Sequence, residues 1–598
     1  MTLDAWNSSH APTLLWQSGA WQVHLRDDEF ADISYDGRPV LRSIRAVARD
    51  RDWNTAGWVI NSVSTTPEVL TLRLRTQDFG ADLSGDVRVR ASDRALTVEF
   101  DALSAVEWET NRTGLVVLHP PLLAGAALQA THPDGSTSVS SFPVEISAHQ
   151  PVFDIAGLAW QHAGLGVHVA FSGDVFEMED QRNWTDASFK TYSRPLSLPF
   201  PYRLKPDSRV SQSVTVTVSP LPDASPGARS PVAQIRLDAA GAPFPAVGVS
   251  AATGPDPAPA LEPIGSELLV ELDLATANWR SALERALAQP LALDVRLVLD
   301  TANPTAVHSA VALLPSQRLV RIGAFQRTGD SRHVTDARAD ALLRDALAAH
   351  GLRTPVVGGS RSHYTELNRE GHRLPRDLDG LAVTFTPLFH SLGTEQLVES
   401  VAMQRLIAEA AVAYIADTPV HIGPIALRPR FNDVATAPEP APSRADLAEG
   451  YGAEFTGSVD PRQSAPQLGA WLIASAAALA IPGVASLSYF EEWGPRGIRS
   501  SAGEPTPAFD AINAVAGLAG SPLLSGTSPD GLVWAVGALA DSQTSTVLVA
   551  NLDTVARDID VTTSTGVERV LVAPFAWQFL SGASTAFTNP LPNSPEEH

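Results

Sequence analysis

Through the first third of the chain, hydrophobic and polar residues alternate in short runs, at 70–75, 86–90 and 95–100 among others. Period-two alternation broken by Asp, Gly and Ser predicts antiparallel strands with one buried face. A last run at 210–218 precedes a Pro-, Ser- and Gly-rich stretch at 219–231, so residues 1–230 read as a large N-terminal β-sandwich. Near residue 245 the period changes. Apolar runs at 246–250, 268–274, 292–300, 318–325, 354–359, 381–386, 419–426 and 484–489 alternate with alanine-rich amphipathic segments at 279–288, 336–350, 394–414 and 465–480. Eight such units predict a (β/α)8 TIM barrel, assigned here to 231–518. The Pro-, Ala- and acid-rich insert between Arg430 and Ala465 is expected as a loop over the barrel's active face. Strand-like runs then return at 532–539, 546–552 and 570–575. They predict a small C-terminal β-domain, 519–598, packed against the barrel.

Composition narrows the function classes. At 598 residues the chain exceeds one hydrophobic core. Apolar content of 44% with 18% charged residues argues against extensive disorder. A net charge of −23 argues against nucleic acid and anionic membranes, which both select a cationic face. The absence of cysteine excludes disulfides, thiolate metal sites and cysteine nucleophiles. The start lacks a basic segment followed by an apolar one, and no run of 18 apolar residues occurs, so a soluble, cytoplasmic protein is expected. The oligomeric state stays open, a homo-oligomer included.

Candidate chemistry collects where barrel strands end. Glu366 lies just past the fifth expected strand, and Glu491 and Glu492 just past the eighth, 125 residues after Glu366. Catalysis on this fold takes place at the strand carboxyl ends. Two carboxylates facing each other across that mouth, ~5–5.5 Å or ~6.5–9.5 Å apart, are the equipment of glycoside hydrolysis. The competing role is ion pairing with Arg361, Arg369 or Arg496. His390, at the rim after the sixth strand, is placed to act as a base or to orient water. Arg428 and Arg430, after the seventh, could bind a carboxylate or an oxyanion, or simply pair with surplus acids. The polar and aromatic run 176–192, with Glu179 and Trp184, reads as a loop completing the pocket or as an interdomain hydrogen-bond network. Tyr364, Asn368, Tyr489 and Trp493 flank the carboxylates as candidate substrate contacts. No metal-binding spacing, phosphate loop, dinucleotide fingerprint or nucleophile elbow is present, so no metal and no cofactor is expected.

The run 177–192, Gly358-Gly359 followed by Tyr364-Thr365-Glu366-Leu367-Asn368-Arg369, and Leu427-Arg428-Pro429-Arg430-Phe431-Asn432 together resemble the D-apionate lactonase family. The resemblance covers nearly the whole chain and implies the same order of β-domain, barrel and β-domain. It also implies hydrolysis of the lactone of a branched sugar acid. Within Tyr489-Phe490-Glu491-Glu492-Trp493, Glu491 matches the family's carboxylate, and Glu492 is an extra one. Three readings therefore stand: a lactonase using Glu366 or Glu491 with His390, a glycosidase using Glu366 with Glu491 or Glu492, and a non-catalytic carbohydrate-binding protein. The substrate in each is a small sugar or sugar lactone.

Overall fold

The fold is that of a computed structural model, which describes residues 6, 14–221, 232–300, 302–329, 331–415, 417–435, 440–452, 458–540 and 544–581. Two nine-stranded sheets form the N-terminal domain. Their facing sides bury an apolar core that includes Trp21, Phe30, Phe100, Phe142 and Phe189. Alternation along the strands accounts for this layer, because every second residue points to the same side.

The sheet built on Arg38–Asp50, Trp108–His119, Phe176–Asp180 and Phe189–Ser193 has an unusual second side. Register places Lys190 opposite Glu179, Tyr192 opposite Glu177, and Arg49 opposite Arg112. This charged side is covered rather than solvated, and the barrel covers it.

Eight parallel strands close the barrel. They are β1 (Ala246–Ser250), β2 (Glu267–Asp273), β3 (Ala292–Leu299), β4 (Leu319–Gln326), β5 (Val356–Gly359), β6 (Gly380–Phe385), β7 (Val420–Ile425) and β8 (Val484–Glu491). All eight coincide with the apolar runs, since parallel strands buried on both faces leave continuous hydrophobic segments. Strand β8 runs two residues beyond the expected end and includes Glu491. Inside the barrel, near the strand amino ends, the packing is ionic. Asp294 accepts from Arg296 (2.7 Å) and Arg321 (2.6 Å), and both arginines are buried.

Two departures from the expected elements matter for the site. Tyr364–Glu370, where no element was expected, is a short helix, and Glu366 stands on its first turn. The strands Val232–Arg236 and Asp238–Pro243 precede the barrel in sequence yet pair with the C-terminal strands Arg557–Thr563 and Pro522–Ser525. The C-terminal sheets thus clasp the barrel from both ends of its chain. Between barrel and sheet lies the helix Leu468–Leu479, buried along its whole length. Its sequence is apolar on every side, as such a position requires. No helix among the described residues is long and apolar enough to cross a membrane.

Candidate active site

A cavity opens at the carboxyl ends of β1, β2, β7 and β8, where Thr253, Glu271, Arg430, Tyr451, Glu491 and Arg496 meet. It continues past Asp273, Arg327, Arg332 and Arg361 to Asp433. Arginine dominates its polar lining. Glu271, on β2, organises two of these: its carboxylate accepts from Arg361 Nη2 at 2.9 Å and from Arg430 Nη2 at 3.1 Å. Burial alone would raise this carboxyl, but the two guanidiniums hold it down at about 2. Both arginines are therefore fixed by one anion and stay fixed through the neutral range.

Glu491 lines the same cavity. Its oxygens accept from Thr253 N at 3.0 Å, Thr253 Oγ1 at 2.9 Å and Arg496 Nε at 2.9 Å. Phe490, at φ 49°, kinks the strand end just before it. Glu492 points elsewhere. Its N–H bonds to Ser250 O (2.9 Å), while its carboxyl is buried near Arg499 and Arg285, outside the cavity wall. Burial pushes that carboxyl up to about 7 against the pull of the Ala252 backbone and of Arg499.

Behind Asp433, where the cavity ends, three segments bring together residues distant in sequence. His333 follows β4, Glu366 follows β5 and Asp433 follows β7. His333 Nδ1 lies 3.0 Å from Asp433 Oδ2 and 3.6 Å from Glu366 Oε2. Ser362 Oγ donates to the same Asp433 oxygen at 2.5 Å. Burial and the charge of Asp433 push the Glu366 carboxyl up to about 7, with His333 and Arg369 pulling it back. Asp433 moves the opposite way: against burial, the His333 contact, Ser362 and Arg361 keep it ionised. Burial disfavours the His333 imidazolium, but the Asp433 hydrogen bond and the two carboxylates raise its pKa overall. Contacting groups whose proton affinities are pushed apart in this way form a candidate acid–base set.

One ligand atom each from His333, Glu366 and Asp433 falls within 4.8 Å of the others, a spacing that could hold a divalent cation. Arg332, Arg361 and Arg369 act electrostatically on the same three groups, so an added cation would meet positive charge from several sides. The neighbourhood favours the acid–base reading.

Other expected site residues lie elsewhere. Tyr489 OH donates to Ser475 Oγ (3.0 Å) in the packing around the barrel, and Tyr364 is buried in the same core. Arg428 is drawn to Asp460 at 2.7 Å. Trp493 packs against Arg285, 5.3 Å from the ring centroid, behind the wall. Asn368 donates to Asn183 Oδ1 (2.9 Å) and Ile146 O (3.1 Å), tying barrel to sandwich. Glu179 accepts from Trp184 Nε1 and Arg369 Nη2 at 3.2 Å each and meets Lys190 Nζ at 2.6 Å. Trp184 stacks on Phe389 with ring centroids 5.0 Å apart, and His390 Nδ1 sits 2.7 Å from Asp186 Oδ2. The run 176–192 thus builds an interdomain network, and His390 belongs to it. The carboxylate brought beside Glu366 is Asp433.

Asp433, Glu271 and Arg361 line the cavity and His333 pairs with Asp433, yet none was singled out as a site residue from sequence. Their common sign is position just beyond, or on the last turns of, a barrel strand. That sign becomes selective only once the strand ends are known.

Fold and cavity together define a multidomain barrel enzyme with an arginine-lined centre at the strand carboxyl ends. The chain belongs to the D-apionate lactonase family: residues 1–221 match the family's N-terminal domain and residues 250–520 its TIM barrel domain. It is 27% identical over 548 residues to the D-apionate lactonase of Brucella anthropi, covering 85% of this chain and 88% of that one. Among solved structures, a GH30 endoxylanase from Clostridium papyrosolvens C71 aligns at TM-score 0.34 and 11% identity, over 58% of this chain and 98% of that one. A galactose mutarotase-like protein from Lactobacillus casei aligns at TM-score 0.26 and 8% identity, over 35% of this chain and 100% of that one. Nothing about chemistry follows from either.

Proposed function

We propose that the chain hydrolyses the lactone of a sugar acid, D-apionolactone or a close relative, in the arginine-lined cavity. The observation that carries this reading is the His333–Glu366–Asp433 unit at the edge of a cavity whose arginines are pinned by Glu271. Lactone hydrolysis needs both parts. Glu366, its pKa near neutrality, removes a proton from water as the water oxygen bonds to the lactone carbonyl carbon. Negative charge then develops on the carbonyl oxygen, where Arg361 and Arg430 offer fixed donors. As the ring C–O bond breaks, Glu366 returns the proton to the departing ring oxygen. Asp433 orients His333 through Nδ1, and His333 in turn balances the charge on Glu366. Glu491, locked by Thr253 and Arg496, is suited to accepting substrate hydroxyls.

A glycosidase reading has one feature in its favour, the closeness of Glu366 and Asp433. Against it, His333 stands between the two, and Glu271 and Glu491 are both neutralised by arginines. The test is acid release from D-apionolactone beside a panel of aryl furanosides and pyranosides, with Glu366→Gln as control. Acid release lost in the variant supports the lactonase reading. Aglycone release with an inert lactone overturns it.

A further inference from the structure

The charged side of the N-terminal sheet holds a pair of cations that the proposed chemistry does not use. Arg49 and Arg112 stand directly opposite each other on neighbouring antiparallel strands. Side chains so paired start about 5 Å apart at Cβ, and like charges there repel. Neither arginine makes an ion pair among the described residues. Arg112 is only 4% exposed, and its Nε finds no acceptor among the described residues. Arg49 donates to Trp53 O at 3.3 Å. Burial and the adjacent Arg112 bring its guanidinium down to about 10.

The nearby acids are already engaged. Glu179 serves Lys190, Arg369 and Trp184; Asp186 faces His390; Glu177 accepts from the Leu196 N–H at 2.7 Å. A buried guanidinium left without an acceptor is costly, and a planar fork of N–H donors matches a carboxylate in both charge and geometry. Aromatic rings shape the same place. The Arg112 guanidinium lies 3.6 Å from the Tyr192 ring centroid and 5.3 Å from that of the half-buried Trp53. Rings beside an anion site give the apolar C–H side of a polyol a surface to rest on.

We propose that Arg49 and Arg112 form a second binding site, between sandwich and barrel, for the carboxylate of an open-chain sugar acid. Only the sugar part rests on the proposed function; the anion part stands on two facing arginines that form no ion pair among the described residues. Glu177 and Glu179 on the same side of the sheet disfavour a doubly charged ligand such as phosphate. A hydrogen bond links the neighbourhood of this site to the catalytic cavity. Asn432, which lines that cavity, donates to Asp52 O at 3.1 Å, and Trp53 follows directly in the chain.

The experiment measures calorimetric binding and thermal melting of the full-length protein with D-apionate, D-gluconate, D-apionolactone and inorganic phosphate. Arg430→Gln serves as the background in which carboxylate binding in the catalytic cavity is weakened. In that background an aldonate still binds, and adding Arg49→Gln or Arg112→Gln weakens it by at least about tenfold. Without ligand, Arg49→Gln melts at or above the wild-type temperature, because a repulsion has been removed. A purely structural pair predicts a lower melting temperature and no change in aldonate affinity, and that result overturns the site. Tighter binding of phosphate than of aldonates overturns the carboxylate assignment. Arginine-dependent aldonate binding in a protein inert towards lactones keeps the site and rejects the lactonase reading. Lactone turnover with no such binding does the reverse.

Discussion

His333 Nδ1 lies 3.0 Å from Asp433 Oδ2, although one residue follows β4 and the other follows β7, one hundred positions later. The same His333 nitrogen lies 3.6 Å from Glu366 Oε2. Burial raises the proton affinity of Glu366 most, the charge of Asp433 adds to it, and His333 is the counterweight.

Removing the Glu366 carboxylate tests the acid–base unit. Glu366→Gln is expected to lower kcat for lactone hydrolysis by ~10²–10⁴ while the protein stays folded. Turnover and a melting curve on the same preparation check both halves. Wild-type kcat in a folded variant would remove Glu366 from the mechanism.

The pH dependence of kcat/KM follows from the same coupling. The rate should climb with pH along an acid limb near 7, as the proton shared by the set is lost. Asp433→Asn removes the negative charge that raises Glu366, so its acid limb should move to lower pH. An acid limb that stays put in this variant argues that another group titrates.

In the proposed mechanism Arg430 offers a donor to the developing oxyanion; its Nη2 donates to Glu271 at 3.1 Å. Arg430→Gln should lower kcat by ~10²–10³, the usual consequence of losing one such donor. A rise in KM alone would make Arg430 a ground-state binding group instead.

Glu492 gives a stability prediction independent of catalysis. Its folded pKa, about 7, lies above the unfolded value of 4.5, so the native state holds the proton more tightly. Its contribution to stability is present in full below pH 4.5 and is lost as pH rises through about 7. Glu492→Gln keeps a neutral side chain at every pH. The variant should match wild type at pH 4 and exceed it by about 1–3 kcal/mol at pH 8, read from denaturant unfolding at both pH values.

Chelation distinguishes the two uses of the His333 cluster. Dialysis against EDTA should leave lactone turnover unchanged if the three side chains move protons. Loss of activity restored by zinc or manganese would make them metal ligands.

The strand segments and the repeating strand–helix pattern of the barrel follow from periodicity. Buried parallel strands must be apolar on both faces, and antiparallel ones on one, whatever lies around them. The likeness to the family was likewise legible in the runs 177–192, 364–369 and 427–432, and Glu366 and Arg430 were singled out from position alone. The partners of these residues were not. His333, Asp433 and Glu271 converge from separate loops, and nothing in local spacing encodes the distance between two loop ends of a barrel. The same limit applies to Glu491 and Glu492. Both follow Phe490, and only the kinked backbone at that residue, together with the Thr253 and Arg496 contacts, decides which one enters the cavity. The sequence by itself determined the scaffold and the rim on which chemistry is placed, because periodicity is a local property of the chain. The tertiary structure alone decided which charges meet there, because pairing and burial depend on segments a hundred or more residues apart.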